Sequence, residues 1–231
     1  MSEPATVIDL SHRDNLSQLI YAQLRNEIIG GQWHPAAKLS IRQQAQRFRV
    51  SVTPVREALL QLASEKALVL EPRSFRVPVL SRAEFIEIRK ARVALEGLLA
   101  GEAVVQPDAA FAGRLAALHE ELIGAKLAGR YDVVMQRNRD FHFSLYEKAS
   151  MPQVVSIVEG LWAQTGPYQH SLYRRETAVP ADTHDHLRVI QAVRRGDAAL
   201  AARAVVDDIT LRGVRLEEIG AAEPSGFSDR A

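Results

Sequence analysis

The chain has 231 residues, with 29 Lys and Arg against 28 Asp and Glu and no cysteine. That length holds one large domain or two modest ones. Without cysteine there are no disulfides, thiolate nucleophiles or all-Cys zinc sites, so any metal has to be held by His, Asp, Glu or Asn.

The first 15 residues lack the apolar core of a signal peptide. No run approaches the roughly 20 apolar residues that span a bilayer. The expected location is the cytoplasm, with no membrane partner. The net charge of +1 hides an uneven distribution. Residues 1–79 hold 10 bases and 7 acids, and residues 38–76 alone hold 8 bases against 3 acids. A short basic block in a near-neutral chain marks a local phosphate-binding surface, or else a solvated face.

Leu16, Ile20, Leu24 and Ile28 recur every four residues and predict a first helix, stopped by Gly30-Gly31. Ser40 and Gln43 have the spacing of a capping box that opens a short helix over 41–48. Val50-Ser51 makes a turn. A third helix follows, capped by Ser51 or Thr53, with Pro54 in its first turn and Val55, Leu59 and Leu62 as its buried stripe. Leu68-Val69-Leu70 and Phe75-Arg76-Val77, joined by Pro72-Arg73-Ser74, predict a hairpin. Three short helices and a hairpin, with a tight turn between the second and third helices, describe a winged helix-turn-helix. The third helix would enter a major groove, offering Arg56, while Arg42 reaches backbone or base edge.

The stretch Lys38-Leu39-Ser40-Ile41-Arg42, followed by Val-Ser-Val-Thr-Pro-Val-Arg-Glu-Ala-Leu at 50–59, resembles the DNA-binding motif of GntR-type repressors. The resemblance implies contacts to operator DNA from Arg42, Ser51, Thr53 and Arg56. Arg73 and Ser74, at the turn of the wing, complete the DNA-binding set. Val52 stands where the family usually has Arg. Glu65-Lys66-Ala67-Leu68 stands in place of the usual Glu-Gly-Leu.

From Ser81 onward the pattern is helical throughout. Ser81 and Glu84 have capping-box spacing and open a helix over 82–105, with Phe85, Ile88, Leu95 and Leu99 on one face. Further helices are expected over 108–128, 131–149, 152–176, 181–195 and 197–217, punctuated by prolines and by Gly196-Asp197. Residues 221–231 read as a flexible tail. The fold class is therefore mainly α: an N-terminal winged helix-turn-helix over 1–79, then an all-helical effector-binding and dimerisation bundle over 80–220.

Several polar residues fall on apolar faces of this second part. Asn138 and His142, four apart, share a face with Val134, Phe141 and Leu145. His186 sits with Val189, Ile190 and Val193, and Asp208 with Ala201, Ala204 and Val205. Burying such groups separately is costly, and convergence on one cation resolves the cost. Two imidazoles and a carboxylate suit a divalent first-row metal, with Zn, Ni and Mn as candidates. The competing reading is a metal-free buried hydrogen-bond network, for example His142 to Asp208. Arg92 lies on the face of Phe85, Ile88 and Leu95, where it would clamp a carboxylate or pair with Glu96 one turn on. Trp162, Tyr168 and Tyr146 are cavity-lining or plain core aromatics. His12, His34, His119, His170 and His184 receive no role.

The resemblance extends here. Arg-Val-Ala-Leu-Glu at 92–96, Asn-Arg-Asp-Phe-His at 138–142 and the run 185–197 look like the helical ligand-binding domain of the FadR-type subgroup, called FCD. Family members commonly bind metal through an Asp and three His; the matching positions are Asn138, His142, His186 and Asp208. Two ligands are kept and two are replaced by oxygen donors. The resemblance implies a homodimeric repressor that binds a pseudo-palindromic operator. Its small carboxylate effector would meet Arg92, His142, His186, Tyr146 and Trp162. Two alternatives stand beside it: a metal-dependent hydrolase or lyase on the helical part, and a DNA-binding scaffold with a purely structural bundle.

Overall fold

The computed structural model describes residues 11–175 and 185–222. The N-terminal module contains α1 (Ser11–Ile29), β1 (Lys38–Leu39), α2 (Ile41–Phe48), α3 (Val52–Ser64), β2 (Val69–Leu70) and β3 (Phe75–Arg76). Leu24 and Ile28 of α1, Leu39, and Val55, Leu59 and Leu62 of α3 are completely buried. The apolar stripes at helical spacing thus meet as one core. Arg49, in the left-handed conformation after α2, makes the turn into α3.

The expected hairpin forms, β2 against β3, and β1 adds a third strand, giving an antiparallel sheet in the order β1-β3-β2. Lys38 and Leu39 pair with Arg76 and Phe75, and Val69 and Leu70 pair with the same two residues from the other side. Two further expectations fail at the helix starts. Neither Ser40 nor Ser51 accepts a capping bond through its side chain. At Ser51 the reason is chemical: the third helical position is Pro54, which has no N–H to give. At Ser40, Gln43 stays exposed. Thr53 lies inside α3 and is not its cap.

The helical part comprises α4 (Arg82–Glu102), α5 (Ala109–Leu127), α6 (Tyr131–Lys148), α7 (Pro152–Arg175), α8 (Asp185–Arg195) and α9 (Ala198–Ala222). Here the Ser81-Glu84 capping box is fully formed. α4 packs along α9, α5 on α6, and α8 on both α5 and α9. α9 runs past the expected end at residue 217. Residues 181–184, expected to open the eighth helix, and residues 223–231 of the expected tail lie outside the described residues. So do the side chains of His12, His170 and His184.

The two parts share one apolar cluster, in which Leu24 and Leu59 belong with Leu99, Trp162 and Val205. α7 crosses α1 closely. A Cβ on Gly166 would stand 2.5 Å from the Ile28 carbonyl oxygen and 2.7 Å from Ile29 Cα, so only glycine fits there. Arg25 of α1 pairs with Glu159 of α7 at 2.8 Å. Gln164 of α7 donates to the Glu65 carbonyl, at the end of α3, at 3.2 Å.

Candidate functional site

Two sets of candidate residues stand out. The first is on the N-terminal module. Arg42, Ser51, Thr53, Arg56 and Arg73 are exposed, and among the described residues Arg42, Arg56 and Arg73 form no ion pair. Glu27 is held by Arg47 of α2 in a two-point pair. Ser74 is half-buried and donates its hydroxyl proton to Glu71 at 2.7 Å, so it braces the wing turn. Val52 is 50% exposed on the first turn of α3. The recognition helix thus presents an apolar group between Ser51 and Thr53, with Arg56 one turn on. Free cations around a helix N-terminus are what a phosphate-lined groove requires.

The second set lies inside the helical part. His142 on α6, His186 on α8 and Asp208 on α9 bring one donor atom each within 4.8 Å of the others. The two Nε2 atoms are 3.2 Å apart, and Asp208 Oδ2 is 3.4 Å from His142 Nε2. Two donors bound to one first-row ion at about 2.1 Å stand about 3.0–3.4 Å apart. The helices set these positions by packing. Phe141 stacks flat on the His186 ring, with centroids 3.8 Å apart, which fixes the plane of that imidazole. Arg212, one turn beyond Asp208, donates to its Oδ1 at 2.8 Å and leaves Oδ2 for the histidines. Burial alone would raise the Asp208 carboxyl; Arg212 and the imidazoles overcome it and hold Asp208 well below the usual carboxylate range.

Asn138 lies one turn before His142 on α6 and lines the same cavity as His142 and Asp208. Its Oδ1 is buried with no hydrogen-bond partner. A buried amide oxygen without a donor is costly unless something cationic or protic meets it. The four residues therefore fit a divalent ion: two imidazole nitrogens, one carboxylate oxygen and an amide oxygen in need of a partner.

The cavity beside this group is small, with about 20 Å³ of room for water centres, enough for about one water. Arg89, Arg92 and Arg212 all line it. Each already has an acid: Arg89 pairs with Glu217 at 2.7 Å, Arg92 with Glu96 at 2.6 Å, and Arg212 with Asp208. Arg92 also donates to Thr165 at 3.3 Å and lies over the Trp162 ring at 4.6 Å. Of the two readings of Arg92, the structure shows the pair with Glu96, formed by a buried, inward-pointing side chain. Burial disfavours its charge, and Glu96 more than restores it. Trp162 lines the cavity. Tyr146 and His186 stand behind it and do not.

Glu96 carries no role in the sequence reading beyond pairing with Arg92, yet it is completely buried. It accepts from Arg92, from Tyr146 Oη at 2.7 Å and from Trp162 Nε1 at 2.9 Å. Tyr146 Oη also lies 3.0 Å from His142 Nδ1. Burial, and next the Glu96 charge, push the Tyr146 hydroxyl well above its ordinary value, so it keeps its proton. Arg212, Thr165 and Gln169 were missed as well. Their signals were present: an acid-to-base spacing of four at Asp208 and Arg212, and polar residues at helical spacing from Trp162.

Comparison with known proteins gives a consistent family. Residues 16–75 match the bacterial regulatory proteins of the gntR family, and residues 87–210 match the FCD domain. The HTH-type transcriptional regulator McbR of Escherichia coli (strain K12) is 32% identical over 75% of this chain and 78% of its own length. The HTH-type transcriptional repressor GlaR of the same organism is 27% identical over 79% of this chain and 87% of its own. The solved structure of E. coli McbR/YncC superposes with a TM-score of 0.81 at 26% identity, covering 88% of this chain and 98% of that one. These relatives regulate transcription, and the hydrolase or lyase alternative falls with that finding: the chain is a regulator and not an enzyme. It belongs to the GntR family of DNA-binding transcription regulators, in the subgroup that carries an FCD domain.

Proposed function

We propose that this regulator is a homodimeric, ligand-responsive repressor acting in the cytoplasm. Residues 1–79 grip one half of a pseudo-palindromic operator through Arg42, Ser51, Thr53, Arg56, Arg73 and Ser74. Residues 80–220 dimerise and sense a small organic acid next to a divalent metal. The observation that carries the sensing half is the convergence of His142, His186 and Asp208 from three helices, at separations suited to one ion, with Asn138 lining the adjoining cavity beside three arginines. The ion would supply a fixed positive charge for a carboxylate. Arg92 and Trp162 flank that position, and Tyr146 and His186 support it from behind. The name of the GlaR relative supports repression as the direction, and two-fold symmetry suits a palindromic site.

Binding to the gene's own upstream DNA tests the first half. Affinity should fall steeply with salt, through release of counterions from phosphates. Arg56→Ala should weaken binding and reduce the slope of log affinity against log salt by about 1. Equal affinity for random duplex of the same length would refute the operator. Elemental analysis tests the second half, and one divalent ion per chain is expected. A protein without metal whose melting temperature ignores added Zn, Ni and Mn would remove it.

A further inference from the structure

Glu96 is a fully buried carboxylate on α4, and the donors around it converge from three helices. Its Oε1 accepts from Arg92 Nε at 2.6 Å. Its Oε2 accepts from Trp162 Nε1 at 2.9 Å and from Arg92 Nη2 at 3.4 Å, and it lies 2.7 Å from Tyr146 Oη. Indole and guanidinium groups only donate, and a carboxylate only accepts. Tyr146 has a single proton on its oxygen. Against Glu96 that proton must point at the carboxylate, because the reverse would set two acceptors face to face at 2.7 Å. The Tyr146 oxygen is then left as an acceptor toward His142 Nδ1, 3.0 Å away. His142 meets it by carrying its hydrogen on Nδ1. With Nδ1 committed to the Tyr146 oxygen, Nε2 is the ring nitrogen left to meet an ion. That nitrogen is the one facing His186 Nε2 and Asp208 Oδ2.

We infer that Glu96 is a positioning residue for the metal centre: through the Tyr146 hydroxyl it holds His142 in the Nδ1–H tautomer and presents Nε2 as a ligand. The same carboxylate neutralises Arg92, so one side chain sets both the donor atom of the ion and the charge of the neighbouring anion clamp. Tyr146 thereby changes role, from a wall of the effector cavity to the link between Glu96 and His142. The purpose of this arrangement rests on the proposed metal, but the hydrogen on Nδ1 does not, since it follows from the hydrogen bonds of Glu96 and Tyr146.

Nitrogen-15 chemical shifts of the His142 ring, measured on full-length metal-free protein, read the tautomer directly. The expected spectrum has a protonated Nδ1. Tyr146→Phe, which keeps the ring and removes the link, should abolish that preference, and Glu96→Gln should do the same. If Glu96→Gln does not fold, Tyr146→Phe carries the test. Zinc affinity, measured by competition with a chromophoric chelator, should fall about 10–100-fold in Tyr146→Phe. A bare Nδ1 in the wild-type protein would overturn the inference. So would a tautomer, or a zinc affinity, that is the same in wild type and Tyr146→Phe. If the wild-type protein shows the Nδ1–H tautomer but binds no zinc, nickel or manganese, the metal reading fails and the positioning of His142 stands.

Discussion

Glu27 is only 2% exposed, as buried as the leucines beside it, yet it is an acid. It is tolerated because Arg47, Gln23 and Trp33 all donate to it. Burial by itself raises its carboxyl; these hydrogen bonds outweigh burial and lower it below the ordinary value. The folded state therefore favours the carboxylate. The stability this contributes is complete above the unfolded value of about 4.3 and fades as pH drops through the depressed folded value. Melting curves between about pH 6 and pH 3 should show a loss of stability that is shallower in Glu27→Gln. At neutral pH that variant should be less stable by about 1–3 kcal/mol, from donors left without a full acceptor. A second residue is strained where Glu27 is satisfied. Lys66 adopts φ 60, the left-handed region, just after α3. Lys66→Gly should gain about 0.5–1 kcal/mol in chemical denaturation, because glycine reaches that region without a Cβ clash. At this scale the sequence was informative about Asn138, His142, His186 and Asp208, since a polar residue on an apolar helix face is visible from spacing. Glu96 was not legible in the same way. Its spacing to Arg92 fits a surface pair equally well, and its other partners lie 50 and 66 residues away.

Among the elements, α7 has two working faces. Trp162, Thr165 and Gln169 line the cavity. Glu159, Gln164 and Gly166 meet the N-terminal module at α1 and at the end of α3. The crossing at Gly166 leaves no room for a methyl group. Gly166→Ala should force α1 and α7 apart and destabilise the protein by about 1–3 kcal/mol, measured by thermal or chemical unfolding. Unchanged stability would mean that the crossing is looser than its geometry indicates. Most helix limits were legible because prolines, glycines and capping residues punctuate them, as at Ser81 and Gly196. The strand β1 was not. Two residues carry no period, and Lys38 and Leu39 become a strand only by pairing with Arg76 and Phe75 across the module. The capping bonds at Ser40 and Ser51 were over-read, since spacing shows a cap residue but not whether an N–H is there to meet it.

For the molecule as a whole, the shared apolar cluster makes the two modules mechanically one body. Ile28 and Ile29 at the end of α1 are buried against α7, and the Arg25–Glu159 pair and the Gln164 bond lie beside them. Calorimetry of the full-length protein should therefore show a single cooperative transition, with van 't Hoff and calorimetric enthalpies in agreement. Two separated transitions would mean that the interface contributes little. A near-zero net charge concealed the division of labour at this scale. The basic block over 38–76 became interpretable only when divided from the rest of the chain, and in the structure its Arg42, Arg56 and Arg73 are exposed.

The cavity between the arginines holds about one water, so an organic acid has no ready-made berth in this conformation. Whatever binds there must wait for, or bring about, a wider arrangement of the bundle. Its apparent affinity is then lowered by the fraction of molecules that are open. Stopped-flow association should accordingly level off at high ligand concentration, reporting the rate at which the bundle opens and not the rate of encounter.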